Sequence, residues 1–92
     1  MSTSVNRALK IVNEKGLHAR ASAKLVEVVE GFDATAEVVR DGMSASGDSI
    51  MGLLMLAAAK GSTIEVQTSG PDAEALADAV EALVADRFGE DC

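Results

Sequence analysis

Cysteine is nearly absent from this 92-residue chain. Cys92 stands alone, so no internal disulfide can form, and no CxxC or Cys/His spacing offers a zinc set. We expect no metal and no cofactor. Aromatics are almost as scarce: there is no Trp, no Tyr, and only Phe32 and Phe88, so the core has to be aliphatic. A single proline, with no Pro/Ser-rich linker and no internal repeat, leaves no domain boundary. The longest apolar stretch, Leu53 to Ala59, is far too short to span a bilayer. The polar start, Met1 to Asn6, lacks the basic-then-apolar plan of a secretory signal. A cytoplasmic protein in a reducing compartment, with no membrane insertion, is the expectation. Basic residues are outnumbered too. Eight Lys and Arg against fifteen Asp and Glu give a net charge of -7, which argues against binding nucleic acid, where basic groups must neutralise phosphates.

What is present describes an ordinary globular chain: 48% apolar and 25% charged residues, enough for one domain, residues 1–92, with a core over about 5–88. The acidity is uneven. Residues 69–92 hold Arg87 against seven acids, whereas residues 1–68 hold seven basic and eight acidic groups. The first two thirds are therefore expected to act from a nearly neutral body, with the acidity remote in the last helix and tail.

Hydrophobic periodicity predicts the element order βαββαβα. Residues 5–12 suit a strand, with Leu9 and Ile11 on one face, followed by a turn at Asn13 to Gly16. Ser22, Leu25, Val26 and Val29 repeat at helical spacing, and Gly31 ends that helix. Thr35 to Val39 and Met43 to Ser46 alternate around Asp41-Gly42, the strongest hairpin signal in the chain. Ser49 is the expected N-cap of a short helix with Gly61 after its end, and Thr63 to Thr68 is a fourth strand. The last helix opens with Pro71 at its first position and acids at its positive end, buries Leu76, Val80 and Leu83, and closes at Gly89. This order implies an α+β fold: a four-stranded, mostly antiparallel sheet with three helices on one face, and Thr35, Glu37, Glu65 and Gln67 on the solvated face.

The one side chain that titrates near neutrality is His18, at the junction of the Asn13 to Gly16 turn and the first helix. A lone histidine is more often a surface residue or a satisfied core group. Its neighbours shift that balance. Near an N-cap it lies beside the unpaired N–H groups of Ala19, Arg20 and Ala21, an anion site. The positive helix end and Arg20 keep the imidazole neutral and nucleophilic, and the same charges stabilise an anion attached to it. That suits a residue which accepts and passes on phosphoryl groups. Gly16 is either a turn glycine or a site of close backbone approach. Lys15 and Lys24 read as solvated charges.

The run Gly16-Leu17-His18-Ala19-Arg20-Ala21, followed by Ser49-Ile50-Met51-Gly52-Leu53-Leu54, resembles HPr, the histidine-containing phosphocarrier family of the phosphoenolpyruvate-dependent phosphotransferase system. The resemblance covers about Val5 to Phe88. It implies the HPr-like open-faced sandwich, with His18 phosphorylated on Nδ1 and Arg20 contacting the phosphoryl group. Ser49 is similar to the serine modified by HPr kinase/phosphorylase in lineages that have that enzyme. The partners implied are enzyme I and enzyme IIA-type proteins, met by a monomer in sugar transport or in a nitrogen-related regulatory system. Where the commonest motif has proline after the arginine, this chain has Ala21, a variant that is similar to HPr proteins of alphaproteobacterial type.

Two residue sets carry competing accounts. Ser49 is explained by N-capping alone, without regulation. The short helix is apolar on both sides, yet one sheet face can cover only one of its stripes. By resemblance, Ile50, Met51 and Leu54 match a partner-docking patch, and Leu53 and Leu56 match core. The function implied is a covalent relay rather than a complete enzyme. The competing class is a non-carrier regulatory module switched at Ser49.

Overall fold

In a computed structural model, which describes residues 3–92, the chain runs β1 (Ser4–Lys10), α1 (Ala19–Glu30), β2 (Thr35–Arg40), β3 (Met43–Ser46), α2 (Ile50–Met55), β4 (Thr63–Ser69) and α3 (Ala73–Ala85), then a 3-10 turn over Arg87–Gly89. Met1 and Ser2, the first residues of the polar start and of the 1–92 span, lie outside the described residues. The four strands form one antiparallel sheet in the order β1-β4-β2-β3. β2 and β3 close on a hairpin in which Asp41 and Gly42 both have positive φ, at 50° and 82°, as a tight two-residue connection requires. The expected order and the α+β sheet with three helices are therefore present.

Alternation along the strands sends Val38, Ile64 and Val66 into one aliphatic core with Leu25, Leu53, Leu76 and Val80. Glu37 and Glu65 remain on the open face. Thr68 continues the buried phase because its hydroxyl donates to the Ala73 carbonyl, so a polar group is satisfied where α3 begins. Phe88, one of two aromatics, is fully buried. It lies beyond α3 and holds the end of the chain against the body.

Several boundaries differ from the sequence reading. β1 ends at Lys10. Ile11 is buried but pairs irregularly with the 61–62 turn, donating its N–H to Ser62 and accepting from Gly61. Gly31 caps α1 in a right-handed conformation, φ -82°, so no left-handed glycine cap is needed there. α2 stops at Met55, well before Gly61, and a turn with Ala57 at φ 51° follows. Pro71 precedes the N-cap Asp72 rather than occupying the first helical position. The Asp72 carboxylate accepts from the Asp33 N–H instead of capping its own helix. Val84 is buried in α3 where Leu83 is only half-buried, because Val84 continues the i, i+4 row of Leu76 and Val80. Gly89 does not close α3. The helix ends at Ala85, and Arg87, Phe88 and Gly89 reverse the chain with positive φ at all three residues.

Candidate functional site

His18 is the N-cap residue of α1, in extended conformation, and its side chain caps no backbone N–H. Its main-chain oxygen accepts from Ser22 to begin the helix, so the N–H groups of Ala19, Arg20 and Ala21 have no helical partner. The preceding turn is fixed tightly. Gly16 has φ 64°, and a Cβ placed there would lie 2.4 Å from the Ala58 carbonyl oxygen. That same oxygen accepts from the Leu17 N–H at 2.9 Å. Gly16 is thus a site of close backbone approach, which ties the loop carrying His18 to the segment after α2.

The imidazole is 27% exposed, and its Nε2 is paired with Glu90 Oε2, a side chain 15% exposed. Among the described residues, Nδ1 makes no hydrogen bond. The other oxygen of Glu90 accepts from Asn13 Nδ2 at 2.9 Å, and that nitrogen also donates to the Gly16 carbonyl at 2.9 Å. Asn13 is fully buried, and its Oδ1 has no partner among the described residues. A buried acceptor left unpaired costs on the order of 1–3 kcal/mol, so the amide is spent on orienting Glu90 and the turn. The Glu90 carboxyl titrates below the ordinary 4.5, first because it accepts from Asn13 and then because it accepts from His18. It is a carboxylate at neutral pH.

Asn13 and Glu90 were missed in the sequence. Asn13 read as a turn former, and Glu90 stands 72 positions from His18, so no spacing rule connects them. The remote acidity has to be corrected as well. Phe88 buries, Lys24 Nζ donates to the Phe88 carbonyl at 2.7 Å, and the Glu14 N–H donates to the Cys92 oxygen at 3.0 Å. These contacts fold the acidic tail onto the site. The resulting cleft, about 380 Å³, is lined by Lys15, Arg20 and Lys24 on one side of the charge balance and Glu14, Glu90 and Asp91 on the other. Lys24 is consequently no free solvated charge. Elsewhere in the acidic helix, Arg7 of β1 bridges Asp78 and Glu81, and those two carboxylates raise the guanidinium's pKa.

Arg20 is exposed on the first turn of α1, beside the same cleft. Ser49 is the N-cap of α2 and accepts from the Gly52 N–H at 3.1 Å. Ile50, Met51 and Leu54 are exposed, Met51 by 72%, while Leu53 and Leu56 are buried. Met55 and Met43 are also exposed and were not singled out in the sequence. α2 packs against both α1 and β3, and the Leu17 N–H bond to the Ala58 carbonyl ties the His18 loop to the segment that follows α2.

A family model described as "PTS HPr component phosphorylation site" matches residues 5–86. The chain belongs to the HPr family. It is 46% identical over 86 residues to a phosphocarrier protein HPr of Cupriavidus necator, covering 94% of this chain and 97% of the relative. It is 43% identical over 89 residues to the phosphocarrier protein NPr of Escherichia coli, covering 96% and 99%. The crystal structure of HPr-C-His from Thermoanaerobacter tengcongensis superposes with a TM-score of 0.91 at 30% identity, covering 96% of this chain and 99% of that one. Membership supplies the coarse role, a phosphocarrier of the phosphotransferase system, whose partners are of the enzyme I and IIA type. No helix among the described residues is long and apolar enough to cross a membrane.

Proposed function

We propose that this HPr-family chain accepts a phosphoryl group on His18 from phosphoenolpyruvate-charged enzyme I and hands it to enzyme IIA-type acceptors. The observation that carries the reading is a single, partly exposed imidazole at the N-cap of a twelve-residue helix, with one ring nitrogen free of hydrogen bonds among the described residues. The lone pair of that nitrogen is the nucleophile. The first-turn N–H groups and the Arg20 guanidinium stabilise the charge on the arriving phosphoryl group. Successive donors and acceptors must reach the same atom, which is why the group sits in an open cleft and not in an enclosed pocket. Ile50, Met51 and Leu54 supply the apolar part of a short-lived interface, and methionine's flexible side chain fits several partners. The acceptors belong to a sugar-transport or a nitrogen-related regulatory phosphotransferase system, and each docks on this one surface. The protein acts as a cytoplasmic monomer, one domain per carrier.

The test is incubation with enzyme I and radiolabelled phosphoenolpyruvate. Acid-labile, base-stable label that is lost in His18→Ala supports the relay. A folded wild type that takes no label overturns it.

Ser49 is the site at which an HPr kinase/phosphorylase would act. Its hydroxyl is already committed to the Gly52 N–H, and a phosphate there would meet the same helix end, so modification changes docking more than stability. Mass spectrometry after incubation with ATP and such a kinase tests this; modification at another residue, or none, rejects the assignment.

A further inference from the structure

The contact between His18 and Glu90 bears on which ring nitrogen carries the proton. A carboxylate has no proton to give, so a close contact with an imidazole nitrogen requires that nitrogen to be the donor. In the neutral ring the other nitrogen then holds the lone pair. Here the contacted atom is Nε2, and among the described residues Nδ1 is left without a partner. The carboxylate is itself held. Asn13 uses both hydrogens of Nδ2, one on Gly16 and one on Glu90. Turning the amide over would set Oδ1 against two acceptors, so its orientation is forced, and its own oxygen goes unpaired.

We propose that Glu90, braced by Asn13, is a positioning residue that keeps the proton of the His18 ring on Nε2 and leaves the Nδ1 lone pair as the acceptor of the phosphoryl group. The inference rests on the relay reading of His18. In the forward step the Nδ1 lone pair forms the N–P bond while the bond from phosphorus to the donor breaks, its electron pair leaving with the donor. The ring then carries a positive charge, Nε2 keeps its proton throughout, and the Glu90 carboxylate faces that charge. In the return step the N–P electrons go back to Nδ1. No proton has to leave or arrive at the ring in either direction. With the proton on Nδ1 instead, the lone pair would face Glu90, where no phosphoryl donor can approach.

The experiment is nitrogen NMR of the full-length protein with labelled imidazole, at a pH where the ring is neutral, alongside phosphoryl acceptance from charged enzyme I. In the wild type the expected result is a proton bonded to Nε2 and slow to exchange with water, with Nδ1 unprotonated. In Glu90→Ala that proton exchanges at least about 10-fold faster, and kcat for acceptance falls about 10- to 100-fold with little change in KM for the donor, as for loss of a hydrogen bond to a charged group. Glu90→Asp recovers part of both. A proton on Nδ1 in the wild type overturns the inference and needs no variant. So does Glu90→Ala that keeps its wild-type proton exchange and rate. Wild type that takes no label defeats the relay reading separately, since the tautomer measurement does not depend on transfer.

Discussion

Replacing Gly16 by alanine tests whether the loop carrying His18 is held by backbone contact or merely turns there. The residue has φ 64°, and its added Cβ would sit 2.4 Å from the Ala58 oxygen and 2.9 Å from the Ala59 Cα. A left-handed alanine costs about 1–2 kcal/mol. The overlap is with backbone, which cannot rotate away, so the segment after α2 must shift at a cost of about 1–3 kcal/mol. The shifting carbonyl is the one that accepts from Leu17, and weakening that bond adds about 1 kcal/mol. A destabilisation of about 3–6 kcal/mol follows. Gly42→Ala is the control: φ is 82° but nothing lies within 4 Å of the added Cβ, so only the conformational cost of about 1–2 kcal/mol applies. Urea unfolding of both variants measures the difference. At about 4–8 °C per kcal/mol for a domain of this size, Gly16→Ala should melt at least about 12 °C below wild type. Phosphoryl acceptance should also fall in the fraction that stays folded, since Asn13 braces against the Gly16 carbonyl. If Gly16→Ala is no less stable than Gly42→Ala, the close-approach reasoning is wrong.

Arg20→Ala should keep the fold, because the side chain is exposed, while slowing phosphoryl acceptance about 100-fold through loss of a charge facing the transferring group; unchanged rates in a single-turnover assay would remove Arg20 from the chemistry. On α2, Met51→Asp should change stability by less than about 0.5 kcal/mol yet raise KM for enzyme I, whereas Leu53→Ala, at a fully buried position, should cost about 2–5 kcal/mol. The reverse pattern would mean the two faces have been exchanged. The Glu90 carboxyl is lowered below 4.5 in the folded chain by Asn13 and then by His18. Its contribution is therefore fully present above 4.5 and fades as pH falls through the lower folded value. Urea midpoints of wild type and Glu90→Gln should differ at neutral pH and converge in acid; a pH-independent difference refutes the linkage.

Local patterns located the elements well because each was signalled by its own residues. The Asp41-Gly42 hairpin, the Ser49 N-cap and the α1 stripe depend on neighbours within a turn or two, and those interactions persist in the fold. The errors gathered at element ends, at Lys10, Met55, Pro71 and Ala85. There the stopping point is chosen by which segment packs across: Ser62 opposite Ile11, Asp33 against Asp72, and the buried Phe88 drawing the chain off α3. That Arg20 and His18 lie side by side was legible because they share one helix start. Glu90, Asn13 and the folded-back Lys24 were not.

The sequence by itself determined the aliphatic core, the βαββαβα order, and a lone imidazole at the start of a helix, all written in composition and short spacing. The tertiary structure alone decided which ring nitrogen is engaged and what charge surrounds it. Burial of Phe88 carries an acidic tail across the molecule, and a hydrogen bond between residues at opposite ends of the chain depends on a path through space that no local pattern encodes.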